Sequence, residues 1–500
     1  MEILTKHILS LLTFIPIIGA ITLLGINREN SGGAKLISAF FGFIELLLGL
    51  YLFFAYSPHG NVFQFYERYQ WIKSLGIQYF LGVDAVSMYL IVLTTILTFI
   101  CIIASWNVEK YAREYFLCIL FIETGVIGAL CALDLVLFYI FWEVMLIPMY
   151  FLIGIWGDNK RIYATLKFYI YTMVGSVIML VAIFALYWMN SKTNFDILQL
   201  YRLHLPVKTQ MWLYLAFFLA FAIKVPIIPF HTWQPDTYVN APTAGTVLLA
   251  GVLSKMGIYG FYRFALPLFP DASMKFTPII AFLTLIAVIY ISLIAIAQKD
   301  MKRLIAYSSI AHLAVVVLGL FMLTIQSVQG AIFQMLNHTI ITGALFLLLG
   351  TLFERYSSRH IKDYSGVAKQ MPLFATFFMI AMLASVGLPG TNGFIGEFIL
   401  FLGIFKANIA YAAIAATGTI LGAFYMLWMY QRAFFGPLED EKIMKLPDLN
   451  IREVCYIIPL IILIFVMGIF PQFFIKKFDK TTTFFVNYVT NNRVINLAQK

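Results

Sequence analysis

A few ionisable side chains lie where lipid would be their solvent. Glu143 stands in Phe-Trp-Glu-Val-Met-Leu-Ile-Pro148, Lys224 in Ala-Ile-Lys-Val-Pro226, Lys255 in Gly251-Val-Leu-Ser-Lys-Met-Gly257, and Glu397 in Gly393-Phe-Ile-Gly-Glu-Phe. His312 and His338 fall in apolar stretches between the lysines and Glu397, with Ser308, Ser309, Asn337 and Thr339 close by. A charge at the centre of a bilayer costs about 2.5–3.5 kcal/mol on the insertion scale, so these groups must be paired, hydrated or both. For a lysine near a helix end the bland explanation is snorkelling, with the ammonium carried to the interface on its stem. That suits Lys167, a few residues into its apolar run, and suits Lys224 and Lys255 poorly. For Glu143 and Glu397 the bland explanation is a carboxylate bonded to neighbouring helices, and for either histidine a satisfied hydrogen-bonding residue.

The chemistry these residue types share is proton transfer. Burial weakens the hold of a lysine on its proton and a nearby carboxylate restores it. A pair whose separation changes can therefore load and release a proton near neutral pH, titrating as one unit. Histidine is a natural intermediate carrier. The sequence offers no metal-ligand cluster, nucleophile–base arrangement or phosphate-cradling glycine loop beside them.

The background that makes these charges conspicuous is compositional. Of 500 residues, 62% are hydrophobic and 12% charged, against roughly 45–50% and about 25% in globular domains. We read about 14 apolar runs long enough to cross a bilayer. They lie near 8–26, 36–57, 82–105, 115–133, 136–155, 163–189, 211–230, 242–266, 277–297, 303–323, 328–352, 373–405, 408–435 and 452–474. The gaps between them are too short for a nucleotide-binding domain. The net charge of +10 is spread singly over short loops, with no basic stripe interleaved with aromatics, which argues against nucleic acid. The cysteines, Cys101, Cys118, Cys131 and Cys455, have no CxxC spacing and read as small apolar residues, not iron–sulfur ligands. The first run lacks a small-residue cleavage site and reads as a retained span.

The expected fold is an all-α polytopic membrane protein. Its divisions are N-terminal helices over 1–114, a first five-helix repeat over 115–266, a second, inverted repeat over 267–435, and a last span with a tail over 436–500. Two spans are broken: the seventh by Pro226 and Pro229, the twelfth by Gly387-Leu-Pro389-Gly390. Gly/Pro-interrupted spans at matching places of two halves are the mark of inverted-repeat transporters, whose ion sites sit where helices unwind. Loops after odd-numbered spans carry about twice the Lys and Arg of the others, which puts both termini outside. Lys476, Lys477, Lys480, Arg493 and Lys500 in the tail pull the other way.

The segments 134–154, 222–236 with 241–245, 302–312 and 387–390, which contain several intramembrane charges in register, resemble the antiporter-like membrane subunits of proton-pumping NADH–quinone oxidoreductase, respiratory complex I. The similarity runs over essentially the whole chain. Within that family a lysine in the twelfth span is typical of the L and N types and a glutamate of the M type, so Glu397 points to the M type. The absence of a long lateral helix after the last span agrees.

The resemblance implies a role for each position: Glu143 and Lys224 a modulating input pair, Lys255 the central relay, His312 and His338 the next carriers, and Glu397 the output site, with Asp134 and Lys167 as secondary members. It also implies partner subunits in a bacterial inner membrane, neighbouring antiporter-like subunits among them. Those partners would carry the flavin mononucleotide, the iron–sulfur clusters and the quinone site, and this chain no cofactor. Glu45, Asp84 and Glu123 are also intramembrane and receive no role. The competing readings are an Mrp-type cation/proton antiporter subunit, against which Glu397 argues, and the related subunit of a membrane-bound hydrogenase or a ferredoxin-using photosynthetic complex.

Overall fold

The computed structural model describes residues 5–491, so Arg493 and Lys500 of the expected tail lie outside the described residues. Among these, 12 helices are long and apolar enough to cross a membrane, and two shorter apolar helices, Ile8–Leu24 and Pro372–Ser385, accompany them. The chain is a mostly helical membrane protein. In order the helices are α1 (Ile8–Leu24), α2 (Ser31–Ala55), α3 (Ala85–Ala104), α4 (Ala112–Cys131), α5 (Leu135–Val144), α6 (Leu146–Trp156), α7 (Arg161–Met189) and α8 (Val207–Lys224). There follow α9 (Trp233–Asn240), α10 (Thr243–Leu268), α11 (Pro270–Ile296), α12 (Met301–Phe321) and α13 (Ile325–Tyr356). The last are α14 (Pro372–Ser385), α15 (Asn392–Ala407), α16 (Ile409–Phe434), α17 (Ile451–Ile469) and α18 (Pro471–Asn491).

The helical expectation holds for most of the chain, with one addition. The stretch between α2 and α3 forms an antiparallel hairpin of β1 (Gln64–Ile72) and β2 (Ile77–Val83), closed through Gly76 at a left-handed φ of 67°. Its inner end is locked by charge. Asp84 caps α3 by accepting from the Ser87 N–H, and it pairs with the Arg263 guanidinium of α10 at 2.6 Å, both side chains buried. The Tyr262 hydroxyl donates to the same carboxylate at 2.9 Å. Within the expected tail, Pro471–Asn491 forms α18. There Tyr89 donates to the Phe474 carbonyl, Lys477 donates to the carbonyls of Phe53 and Tyr56, and Gln329 meets Asp479. This helix lies across the ends of α2, α3 and α13.

Burial sorts the helices by role. In α10 and α13 the most apolar stretch is entirely buried, while α7, α16 and α2 present residues such as Val181, Ile420 and Phe54 outward. Outward apolar bulk is what a hydrocarbon solvent requires, since only helices with internally satisfied backbone tolerate it. The two buried helices touch where the Thr339 hydroxyl donates to the Gly251 carbonyl at 2.8 Å. On the far side of α13, glycines let α15 approach: a Cβ on Gly403 would lie 2.1 Å from the Ser327 nitrogen, and one on Gly330 2.3 Å from the Leu400 nitrogen. Because both obstacles are backbone, Gly403→Ala is expected to cost about 1–3 kcal/mol, as overpacking does. A lower thermal unfolding midpoint in detergent would register it, and an unchanged midpoint would mean that the helices can part.

Candidate functional site

The site is built on the two broken spans and the two buried helices. α8 stops at Lys224, where Pro226 and Pro229 remove backbone donors, and both preceding peptide bonds are cis. The carbonyl freed at Ile223 is capped by the Trp233 indole N–H of α9 at 2.9 Å, so the break is satisfied within the protein. The Lys224 ammonium is left with no hydrogen-bond partner, 5.1 Å from the centre of the Trp142 ring and 5.9 Å from that of Phe168. Glu143, next to Trp142 at the end of α5, is the charged group that acts on it. The two are not in direct ion-pair contact, and one Glu143 oxygen is buried without a partner. A carboxylate and an ammonium that interact without direct contact are the arrangement such a pair needs if its coupling is to change.

Lys255 lies fully buried in α10, in a short α-helical stretch between two π-helical turns, Leu249–Leu253 and Phe261–Ala265. Such turns leave backbone carbonyls poorly paired and recur at functional sites. One of them serves here: the Lys255 ammonium donates to the Ala250 carbonyl, and it meets His338 Nδ1 at 2.6 Å. His338 Nε2 is buried and unpartnered. Its ring centre lies 6.2 Å from that of His312, and His312 Nδ1 lies 3.4 Å from the Glu397 carboxylate.

Water-sized cavities flank the two histidines. One, about 20 Å³, is lined by Ser308, Ser309, His312, Gln334, His338 and Ser385 among others. A second of similar volume is bounded by His312, Gln334, Glu397, Thr419 and Tyr425. About 10–15 Å³ of such space holds one water, given polar partners. Lys255, His338, His312 and Glu397 thus form one line through the centre of the molecule, and the histidines come in the reverse of chain order.

The second break positions its end. Gly387 and Gly390, at φ of 80° and 95°, adopt conformations that side chains rarely tolerate, and α15 restarts at Asn392 with Glu397 inside its second turn. The Asn337 amide of α13 donates to the Asn392 carbonyl at 2.7 Å, holding the restarted helix. Glu397 is further contacted by Gln334 and Thr419, each at 3.5 Å.

Asp134 and Lys167 stand apart from this line. Asp134 caps α5, accepting from the N–H groups of Val136 and Leu137, and also from that of Gln78 in the hairpin. Lys167 pairs with Asp236 at 2.8 Å, and Arg303 pairs with the other oxygen of that carboxylate at 2.6 Å. Sequence reasoning passed over Gln334 and Gln234. Gln334 could have been found, since it lies four residues before His338 and therefore on the same face of α13. Gln234 is fully buried in α9 with its amide unpartnered, beside Tyr238, which in turn adjoins Ser254 next to Lys255. Nothing in the local sequence announces it.

Comparison with known proteins then places the chain. A family profile described as "NADH:quinone oxidoreductase/Mrp antiporter, TM" matches residues 132–422, and one described as "NADH-ubiquinone oxidoreductase chain 4, amino terminus" matches 34–128. NADH-quinone oxidoreductase subunit M of Rickettsia prowazekii is 46% identical over 477 residues, covering 94% of this chain and 97% of the relative. The chain belongs to this family. Subunit M of Rhodobacter capsulatus is 44% identical, with 93% of this chain and 94% of that protein covered.

Among solved structures, a chain of respiratory complex I from Thermus thermophilus superposes with a TM-score of 0.88 at 30% identity, covering 96% of this chain and 99% of that one. A chain of the Mrp complex from Dietzia reaches 0.84 at 21% identity, covering 98% of each, which is a likeness of fold alone. The profile over 132–422 is shared with Mrp antiporters, whereas the likeness to subunit M runs in sequence along nearly the whole chain.

Proposed function

We propose that the chain is the M-type membrane subunit of a proton-translocating NADH–quinone oxidoreductase. In this reading protons load at Lys224 under the control of Glu143, pass through Lys255, His338 and His312, and leave by Glu397. The observation that supports it above others is the line from Lys255 to Glu397, in which each group lies near the next and two water-sized cavities flank the histidines. In this reading Gln234 and Tyr238, the latter adjoining Ser254 next to Lys255, carry the proton between Lys224 and Lys255, and Lys167 with its partner Asp236 acts near the first break.

The reading extends to architecture. The two shorter apolar helices complete 14 spans, α4–α10 and α11–α16 are the inverted repeats broken at α8 and α14–α15, and both termini lie outside a bacterial inner membrane. Flavin mononucleotide, iron–sulfur clusters and quinone belong to partner subunits, and electron transfer there drives the charges here.

The test is proton pumping by the assembled complex, measured by dye quenching in vesicles. Glu143→Gln removes the charge that acts on Lys224 while keeping the side chain's shape. It is expected to lower the proton-to-electron ratio with assembly intact. An unchanged ratio in an assembled Glu143→Gln complex would remove the pair from the relay.

A further inference from the structure

The proposed line leaves two buried carboxyls unused. Glu45 lies in α2 about 15 Å from its nearer end, and Glu123 near the middle of α4; they are 0% and 1% exposed. Glu123 acts electrostatically on Glu45, and none of their four oxygens has a hydrogen-bond partner. The helices around them are pressed together. Gly42 and Gly49 lie on the Glu45 face of α2. A Cβ at Gly49 would fall 2.4 Å from the Thr95 hydroxyl of α3, and one at Gly42 2.9 Å from Ile102.

Thr98 of α3, itself fully buried, lies against Glu123 with its hydroxyl unpartnered. The titratable groups facing the pair are the thiols of Cys101 on α3 and Cys131 on α4, neither of which brings positive charge. Lys35, at the start of α2, is already paired with Glu109 at 2.5 Å.

Two ionised carboxyls cannot share such a place. Each would cost several kcal/mol in desolvation, uncompensated by a cation, and they would repel one another as well. As acids they carry no charge, which removes both costs. We propose that Glu45 and Glu123 form a proton-binding site of their own, a pair of carboxylic acids that holds two protons at neutral pH within α2, α3 and α4. It is separate from the line that runs through Lys224 and Lys255.

The test is infrared spectroscopy of the assembled complex in vesicles. Difference spectra of wild type against Glu45→Gln, and against Glu123→Gln, are expected each to lose a protonated-carboxyl C=O absorption at neutral pH that shifts in D2O. Glu45→Asp keeps the acid on a shorter stem and should move the band instead of removing it, which also serves if a glutamine variant does not assemble. The band should persist in Lys224→Ala, whatever that substitution does to pumping. Loss of carboxylate stretches in place of the C=O band, a carboxylate signal that responds to sodium, or disappearance of the band in Lys224→Ala would each overturn the site.

Discussion

Lys255→Met is expected to cut proton translocation by at least about tenfold, equivalent to about 1.4 kcal/mol in the barrier, while the complex still assembles. The two effects separate because the lysine is poorly placed for stability and well placed for conduction. Removing a charge from the middle of the membrane relieves about 2.5–3.5 kcal/mol. Against this stand the lost hydrogen bonds to the Ala250 carbonyl and to His338, which for a charged donor contribute about 1.5–3 kcal/mol each. The balance lies within a few kcal/mol, and methionine fills the same volume with an adaptable stem.

Conduction has no such compensation, since His338 would lose its contact on the Lys255 side. Lys255→Arg sharpens the case. Arginine keeps the positive charge but does not give up its proton in a protein, so it should fail as methionine does. Rescue by arginine would show that the position needs a charge and not a carrier. A wild-type proton-to-electron ratio in the assembled Lys255→Met complex would take Lys255 out of the relay altogether.

What the sequence displayed, and what it hid, follows from range. Lys224, Lys255 and Glu397 were visible because a charge inside an apolar run is costly wherever the run ends up, and the breaks were visible because proline and glycine act through their own backbone. Interactions across the fold were not. Lys167 reads as a snorkelling residue until Asp236, 69 residues away, appears beside it. Asp134 followed by an apolar run is the pattern of a helix cap, and the cap it forms, shared with Gln78, is what the structure shows.

The hairpin escaped because Gln64–Ile72 carries no two-residue turn signal and its closing glycine follows a short 3-10 turn. The order of the two histidines could not be read at all, since it depends on how α12 and α13 pack. Nor could the distance between Glu143 and Lys224, which lie on helices far apart in the chain.

Glu397→Gln should impair pumping about as strongly as loss of Lys255, by a different route. Glutamine keeps the size of the side chain and can still meet Gln334 and Thr419 across the 3.5 Å contacts, so the second cavity and the restart of α15 should survive. It cannot take up a proton and pass it on. Glu397→Asp keeps the acid but withdraws it by one methylene from His312 Nδ1, now at 3.4 Å, and should fall between the two. The decisive measurement is the double variant. If His312 and Glu397 are successive stations, removing one already stops the flow, and His312→Ala in the Glu397→Gln background should cost little more. Residues acting in one chain depart from additivity in this way, whereas independent paths add. Additive losses would mean that protons reach the outer side by a route that bypasses one of the two, and the line through the cavities would have to be redrawn from Gln334.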